Sequence, residues 1–247
     1  SKLNVRSFSE SKIKIMKIGI IGYGKMGKAI EKIAIDRGHS ISFKTNNCNL
    51  NLINNVDVAI EFSTPESAFT NIKNCLDSNV PVVSGTTGWL EDLEDIKKLC
   101  DKKNGSFLYA SNFSLGANIF FELNKKLAYL MSDKNQYKTS IDETHHIHKV
   151  DKPSGTAITL ANDIISGSRY ENWELDSHSE NKININSFRE KEINGVHRVS
   201  YSSENDIISI KHEALDRNGF ALGAVISAEW LFNKKGFFSI SDMLNMG

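Results

Sequence analysis

One short segment of this chain concentrates side chains suited to acid–base chemistry. Residues 143–157 read Glu-Thr-His-His-Ile-His-Lys-Val-Asp-Lys-Pro-Ser-Gly-Thr-Ala, so three of the seven histidines and two lysines fall within residues 145–152. Imidazole titrates near neutral pH, and a lysine beside other cations in a partly desolvated pocket has its pKa lowered towards that of a useful proton donor. The segment predicts a proton donor, either His145 or Lys149.

The same segment predicts an anion-binding helix start. Ser154 is positioned to cap a helix, which leaves the backbone N–H groups of Gly155 and Thr156 available to a carboxylate or phosphate. The apolar positions of that helix are Ala157, Leu160, Ala161 and Ile164. Taken alone, the segment would favour a solvated basic loop with a structural Pro-Ser-Gly turn. A metal site is not predicted, because no cysteine lies nearby and no HExxH helix is present.

A second motif predicts dinucleotide binding. Gly22-Tyr23-Gly24-Lys25-Met26-Gly27 follows the predicted strand Lys17–Ile21 and opens a predicted helix, which is the context that gives a GxGxxG pattern its meaning. The first glycine permits a tight turn, the second lets the backbone approach a pyrophosphate, and the third lets helix and strand pack closely. A glycine-rich turn without a ligand is the alternative.

The residues at the end of the second predicted strand indicate the cofactor preference. An NAD-selective site places an acidic residue there for the ribose 2′-hydroxyl, whereas this chain reads Lys44-Thr45-Asn46-Asn47. Lys44 could accept a 2′-phosphate, which favours NADPH over NADH without excluding NADH. A solvated lysine at the sheet edge explains Lys44 equally well.

Two further loops follow predicted strands of the same core. They are Gly85-Thr86-Thr87-Gly88 and Ala110-Ser111-Asn112-Phe113. Ligands of doubly wound sheets bind at the carboxyl ends of the strands, so both loops are predicted to contact the nicotinamide ribose and carboxamide. Either loop could also be an ordinary turn.

The elements that position these motifs form an α/β protein. Strand-length apolar runs alternate with helical periods between Lys17 and Ala110, which predicts a Rossmann-like doubly wound parallel sheet of five strands. The helix after the glycine motif is expected to end just before Gly38, and a later helix is expected to carry Leu90, Leu93, Ile96 and Leu99 on one face. A helix with one apolar face spans Phe220–Phe232. We therefore expect a dinucleotide-binding domain of residues 16–113 and 220–247. Residues 1–15 are basic and serine-rich, and are predicted to be a disordered extension, with a transit-like segment as the alternative.

A second α+β domain with a mixed or antiparallel sheet is predicted for residues 114–219, for substrate binding and oligomerisation. It contains a long helix at Leu115–Met131 and three strand-like runs close enough in sequence for antiparallel pairing. The runs are Ile183–Arg189, Val196–Ser202 and Asp206–His212.

Composition limits the partners. The 247 residues carry 30 Lys+Arg and 30 Asp+Glu, so the clustered basic excess of a nucleic-acid-binding protein is missing. No apolar run is long enough for a membrane span. Cys48, Cys75 and Cys100 form no CxxC pair, which fits a reducing compartment and predicts a soluble, cytoplasmic protein.

Together these motifs resemble the 4-hydroxy-tetrahydrodipicolinate reductase (dihydrodipicolinate reductase) family of the diaminopimelate route to lysine. Residues 145–157 match its signature HHxxKxDxPSGTA, and the other motifs recur in family order from Met16 to Leu244. The resemblance implies NAD(P)H-dependent reduction of a cyclic dicarboxylate with loss of water, by a homotetramer assembled through the second domain's sheet.

The resemblance also implies residue roles. His145 matches the proton donor or acceptor and Lys149 a second donor, while the substrate-binding positions are His146, Ser154, Gly155 and Thr156. The chain departs from the family in a short segment after strand two, in the missing acid there, and in Glu190-Lys191-Glu192, where a glycine is usual. Another NAD(P)-dependent amino or imino acid dehydrogenase and a non-catalytic nucleotide sensor are the competing hypotheses.

Overall fold

The computed structural model describes residues 14–46, 51–53, 55–176, 179–216 and 218–245. This part of the chain forms two compact units. The first comprises the described residues up to Ser111 together with Ala224–Met243, and the second runs from Asn112 to Gly223. The sequence-based division placed the boundaries after residues 113 and 219. Most of the predicted extension, residues 1–13, lies outside the described residues, as do Asn47 and Cys48.

The elements alternate in the first unit and are grouped in the second. The strands are β1 (Lys17–Ile21), β2 (Ser40–Thr45), β3 (Val58–Glu61), β4 (Val82–Ser84), β5 (Ser106–Tyr109), β6 (Lys138–His145), β7 (Asn172–Leu175), β8 (Lys182–Arg189), β9 (Val196–Ser202), β10 (Ile207–Glu213) and β11 (Gly236–Ser239). The helices are α1 (Lys25–Asp36), α2 (Pro65–Asp77), α3 (Leu93–Lys102), α4 (Leu115–Met131), α5 (Gly155–Ile165), α6 (Asn218–Leu231) and α7 (Ile240–Met243).

The first unit contains a six-stranded parallel sheet in the order β11-β5-β4-β3-β1-β2. All residues of β3 and β4 are buried, as expected for strands covered on both faces by crossover helices. Helix α1 ends at Asp36, and Gly38 takes a φ of 89° just beyond it, which confirms the predicted glycine C-terminus. The predicted doubly wound sheet is confirmed.

Two details of this unit differ from expectation. Five strands were predicted, but β11 adds a sixth by pairing with β5. It is a four-residue strand in the C-terminal tail, too short for a periodicity signal. Leu90 was predicted on the buried face of a helix, yet it lies in a short 3-10 turn (Leu90–Asp92) and is 46% exposed. Trp89 is buried instead, with its ring against Phe107 and its Nε1–H donating to the Thr86 carbonyl.

The second unit contains a mixed five-stranded sheet in the order β10-β9-β6-β8-β7. Strand β9 is antiparallel to β6 and β10, whereas β8 is parallel to both β6 and β7. Antiparallel pairing of the three C-terminal runs was therefore wrong for β8 and β9, because β6 lies between them. Residues 190–195 connect β8 to β9 and are long enough to pass the end of β6, whereas a two-residue turn would force direct pairing.

One face of this mixed sheet is covered by helices α4 and α5. Buried side chains of both helices and of the central strands form one apolar cluster, with Phe120, Leu160, Ile141 and Val199 among its members. Ser114 caps α4 and Ser154 caps α5, each by accepting a hydrogen bond from the N–H three residues on. The cap at Ser154 was predicted and is confirmed. No helix among the described residues is long and apolar enough to cross a bilayer.

Helix α6 carries a buried ion-pair network in the first unit. Glu229 accepts two hydrogen bonds of 2.7 Å from the Arg37 guanidinium and lies 2.8 Å from His39 Nε2. Burial alone would raise the pKa of Glu229, but the hydrogen bonds from Arg37 and His39 hold it below the ordinary value. The carboxylate thus ties α6 to the turn between α1 and β2.

We predict that Glu229→Gln lowers the free energy of unfolding by about 2 kcal/mol at neutral pH, because a buried charged partner of Arg37 is lost. A carboxylate with a lowered pKa stabilises the fold above its unfolded-state pKa. The difference between variant and wild type should therefore shrink below about pH 4. Urea denaturation at several pH values measures this, with Glu94→Gln, at a surface pair with Lys97, as the near-neutral control. Equal losses in the two variants would contradict the assignment.

Candidate active site

The glycine motif forms the turn between β1 and α1. Gly22 has a φ of 90°, donates its N–H to the Thr45 carbonyl at 2.7 Å, and lies so close to the Phe62 carbonyl that a Cβ would overlap it. At Gly27 a Cβ would overlap the Gly22 carbonyl. These two glycines are therefore required by the fold itself.

Gly24 has a different environment. It is the N-cap residue of α1, no side chain caps the helix, and a Cβ built there has no atom within 4 Å. The first N–H groups of α1 are consequently available to an anion, and the space beside Gly24 lets one approach the backbone. The turn fits the pyrophosphate of a dinucleotide. Lys25 and Met26 are the first two residues of the helix.

Lys44 at the end of β2 is paired with an acidic residue of α1. Its Nζ lies 2.9 Å from Glu31 Oε1 and 4.9 Å from the centre of the Tyr23 ring, while the Tyr23 hydroxyl donates to the same Glu31 carboxylate. Hydrogen bonds from Tyr23 and Lys44 lower the pKa of Glu31, and the bond to Glu31 raises the pKa of Lys44. The Tyr23 N–H donates to Asn46 Oδ1 at 2.9 Å. Lys44 is therefore balanced by a carboxylate that the sequence motif did not reveal.

A buried carboxylate joins the ends of β3 and β4. Glu61 accepts hydrogen bonds from the hydroxyl groups of Ser63, Ser84 and Thr86, at 2.6 Å from Ser84 and 2.9 Å from Thr86. Thr86 also accepts from the Ser63 N–H. The predicted contact residue Thr86 is thus buried and structural in this arrangement, whereas Thr87 next to it is exposed. No sequence motif pointed to Glu61.

The remaining predicted cofactor positions lie at the same edge of this sheet or just beyond it. Gly85 follows β4, and Ala110 follows β5 with its N–H bonded to the Ser84 carbonyl. Ser111 is exposed and ends the first unit. Asn112 and Phe113 belong to the second unit, where Asn112 Oδ1 accepts from the Ser114 N–H and Phe113 is buried. The cofactor set is therefore divided between the two units.

The second unit contains a cavity of about 410 Å³ rich in histidine. Its walls include four of the predicted residues, Asn112, His145, His146 and Thr156. They also include residues that the sequence did not single out: His197, His212, Asn194 and Gly195. Nδ1 of His146 is buried and has no hydrogen-bond partner within the described residues, which leaves it available to a ligand.

The starts of helices α4, α5 and α6 all contribute to this cavity wall. Gly116 and Ala117 come from α4, Thr156 from α5, and Gly219 and Phe220 from α6. Helix N-termini carry unpaired N–H groups and a partial positive charge, so three of them around one cavity favour a ligand with more than one negative group. Ser154 and Gly155 lie at the α5 start, with Ser154 acting as its cap.

A buried polar cluster lies behind His145. Glu143 is 0% exposed, accepts a hydrogen bond from the Ser187 hydroxyl, and has Oε2 2.9 Å from His145 Nδ1. Burial would raise the pKa of Glu143, but hydrogen bonds from His145, Ser154 and Ser187 bring it far below the ordinary value. Burial and the neighbouring His145 lower the pKa of His197 to about 3, so this imidazole is neutral and shares a 3.0 Å hydrogen bond with Ser154.

Lys149 is placed differently from His145. Its Nζ lies 2.8 Å from both carboxylate oxygens of Asp151, and its side chain is 23% exposed. Lys149 is not among the described residues that line the cavity. The two predicted proton donors are thus in unequal positions, one in the cavity wall and one in an ion pair with Asp151.

The cluster offers three metal-type ligands, since atoms of Glu143, His145 and His197 lie within 4.8 Å of one another. Each already has a protein partner. Arg189 and Ser187 donate to the carboxylate, His145 contacts it, and His197 bonds to Ser154. The Arg189 guanidinium already bonds Oε1 of the carboxylate and would repel a cation at Oε2, so we assign these residues to a polar cluster rather than to a metal.

Comparison with known proteins gives family matches over most of the chain. Models described as the N-terminus and the C-terminus of dihydrodipicolinate reductase match residues 35–113 and 116–244. A 4-hydroxy-tetrahydrodipicolinate reductase of Christiangramia forsetii is 48% identical over 235 residues, covering 93% of this chain and 98% of the relative. One of Rickettsia rickettsii is 37% identical over 242 residues, covering 93% and 99%.

A solved structure shares the fold. The dipicolinate-bound dihydrodipicolinate reductase of Paenisporosarcina sp. TG-14 superposes with a TM-score of 0.74 at 22% identity, covering 93% of this chain and 99% of that one. The fold and the relatives define an NAD(P)H-dependent oxidoreductase. More particularly, the chain belongs to the dihydrodipicolinate reductase family, and the resemblance seen in the sequence is confirmed.

We predict that Gly24→Ala weakens dinucleotide binding by about tenfold, because its methyl group occupies the space through which a pyrophosphate reaches the N–H groups of α1. Its thermal midpoint should match that of the wild type, because a Cβ there contacts nothing. Gly27→Ala is the contrasting variant and should lower the thermal midpoint. Fluorescence titration with NADPH and NADH measures affinity. If Gly24→Ala binds both cofactors as tightly as the wild type does, the pyrophosphate does not bind at this turn.

Proposed function

We propose that this chain reduces 4-hydroxy-tetrahydrodipicolinate to tetrahydrodipicolinate with NADPH or NADH, in the diaminopimelate route to lysine. The observation that carries the proposal is the histidine cavity, which is formed by the signature segment and surrounded by three helix starts. A small cyclic dicarboxylate suits a cavity of about 410 Å³ with several anion-binding positions. The names of the relatives support the same substrate.

Substrate binding is assigned to the start of α5 and to His146. The N–H groups of Gly155 and Thr156 are offered to one carboxylate, and Ser154 fixes the first turn that presents them. His146 adds the unpartnered Nδ1. These groups bind the substrate equally well before and during reaction, so they should contribute mainly to KM.

The reaction consumes one hydride and one proton and releases the substrate hydroxyl as water. The bound nicotinamide supplies the hydride. We assign the proton to His145, because its imidazole is in the cavity wall, whereas Lys149 would first have to separate from Asp151. Lys149 is retained as a second proton donor, because it lies in the loop that directly follows His145. A positioned acid neutralises the negative charge that develops in the substrate ring.

Cofactor preference follows from the Glu31–Lys44 pair. A 2′-phosphate at the end of β2 would compete with Glu31 for Lys44, and the Glu31 carboxylate would repel it. We propose that the chain accepts both cofactors and that Lys44 gives NADPH only a modest advantage. This is weaker selectivity than an unpaired lysine would provide.

Oligomerisation and location complete the proposal. The sheet face opposite α4 and α5 presents polar side chains such as Asp142, Asn186 and Ser200, and we assign it to assembly of a homotetramer. A cytoplasmic location is proposed from the biosynthetic family and from the cysteines. Cys75 and Cys100, the two in the described residues, are buried and form no disulfide. No nucleic-acid or membrane partner is proposed.

The reductase activity is tested by following nicotinamide absorbance with enzymatically generated substrate and either cofactor. We expect turnover by the wild type and a loss of about 10²-fold in kcat for His145→Ala and for Lys149→Ala. Lys152→Ala, in the same loop but paired with Asp176, is the matched control and should stay near wild type. Binding of NADPH without turnover would indicate a nucleotide sensor, and turnover of other imino acids alone would indicate a different dehydrogenase.

The cofactor proposal predicts opposite changes for the two members of the ion pair. Glu31→Gln should raise kcat/KM for NADPH relative to NADH several-fold, because Lys44 is released and the repelling charge is removed. Lys44→Gln should lower the same ratio. Identical ratios in both variants and the wild type would show that the 2′-phosphate lies elsewhere.

A further inference from the structure

The buried Glu143 carboxylate determines which nitrogen of His145 can exchange a proton. Its low pKa means that the carboxylate is ionised and can only accept hydrogen bonds. His145 Nδ1 lies 2.9 Å from Oε2 in a buried contact that lacks good hydrogen-bond alignment, and the carboxylate favours the tautomer with the hydrogen on this nitrogen. Nε2 is then the nitrogen that gains and loses a proton, and it lies beside Gly195 of the cavity wall, where a Cβ would be 3.1 Å away.

Arg189 connects the same carboxylate to the Lys149 loop. Its Nη1 donates to Glu143 Oε1 at 3.2 Å, while its Nε donates to the Lys149 carbonyl at 3.2 Å and its Nη2 to the Asp151 carbonyl at 2.6 Å. The planar guanidinium thus holds both ends of the ion-paired segment from 149 to 151 at fixed positions. A lysine has one donor group and could not make this arrangement.

We propose that Glu143 and Arg189 form a positioning pair for the reaction, with Glu143 orienting His145 and Arg189 holding the Lys149 loop against the same carboxylate. The inference rests on the proposed function, because it concerns how His145 and Lys149 are presented. Neither residue of the pair was singled out by the sequence motifs. Glu143 contacts the acid without lining the cavity, so its effect is transmitted through the imidazole.

The charged and titratable groups around His145 come from four other elements. Arg189 is on β8, His197 on β9 and His212 on β10, while Lys149 is in the loop that follows β6. His197 is neutral, and burial also lowers the pKa of His212. The carboxylates of Glu213 and Asp216 also line the cavity, but Glu143 is the carboxylate that lies 2.9 Å from the His145 ring.

Glu143→Gln tests the pair directly, because it keeps the side-chain shape and removes the charge. If His145 acts as an acid, activity falls as pH rises and the imidazolium is lost. Without the carboxylate this alkaline limb of the kcat profile should move to lower pH. We also expect kcat to fall by at least about tenfold. A purely structural role would change the thermal midpoint and leave the limb in place.

Three further variants separate the possible outcomes. Glu143→Asp retains the charge and should restore the wild-type alkaline limb even where kcat stays reduced. Arg189→Lys should lower kcat without moving the limb, because the loop is released while Glu143 stays ionised. Glu122→Gln, at a carboxylate of α4 paired with Lys125, is the matched control and should be unaffected.

The results distinguish the proposed function from the proposed positioning pair. An inactive wild type would overturn the proposed function itself. An active wild type whose alkaline limb is unmoved in Glu143→Gln would overturn the role of Glu143, and wild-type kcat in Arg189→Lys would overturn that of Arg189. Should Glu143→Gln fail to fold, Gly195→Ala places a methyl group 3.1 Å from Nε2. It should lower kcat at an unchanged thermal midpoint, and wild-type kcat there would overturn the orientation.

Discussion

An ionised carboxylate buried between strands is the constraint on which the histidine cavity depends. Burying such a group without donors costs several kcal/mol, so Glu143 requires donor groups on its own strand and on a neighbouring strand. Ser187 and Arg189 come from β8, and His145 from its own strand. Because these donors are specific to one register, the same interaction that satisfies the charge fixes β6 beside β8. The position of His145 is therefore set by the stability requirement of another residue.

The first unit also contains a buried carboxylate that is satisfied by nearby donors, at one edge of its own sheet. Glu61 is fully buried at the end of β3, and hydroxyl groups from the loops after β3 and β4 satisfy it. Thr86, which the sequence suggested as a cofactor contact, has its hydroxyl committed to this carboxylate. In both units, then, a buried acid orders the loops at the edge of the sheet, and neighbouring residues such as Thr87 are left exposed to meet a ligand.

The features that could be predicted from the sequence are those that depend on neighbouring residues along the chain. The cap at Ser154, the glycine beyond α1 and the bounds of α4 follow from short-range rules and were confirmed. The insertion of β6 between β8 and β9 could not be predicted, because it depends on contacts such as Glu143 with Ser187 that are distant in sequence. His197 could not be predicted for the same reason. A single histidine in a strand gives no sequence signal, and its contact with Ser154 is seen only in the structure.

The two lysines that the sequence suggested as anion acceptors both have carboxylate partners. Lys44 is paired with Glu31 and Lys149 with Asp151, so the basic clusters apparent in the sequence are balanced in the fold. An anion reaching either lysine would have to exchange with a carboxylate that is already in place, which reduces the net gain from the charge. The starts of α4 and α5 are capped by serine hydroxyl groups, whereas at the start of α6 the Asp216 carboxylate already accepts a hydrogen bond from the Asn218 N–H. We therefore assign recognition of a substrate carboxylate to the starts of α4 and α5, and the lysines to selectivity and proton transfer.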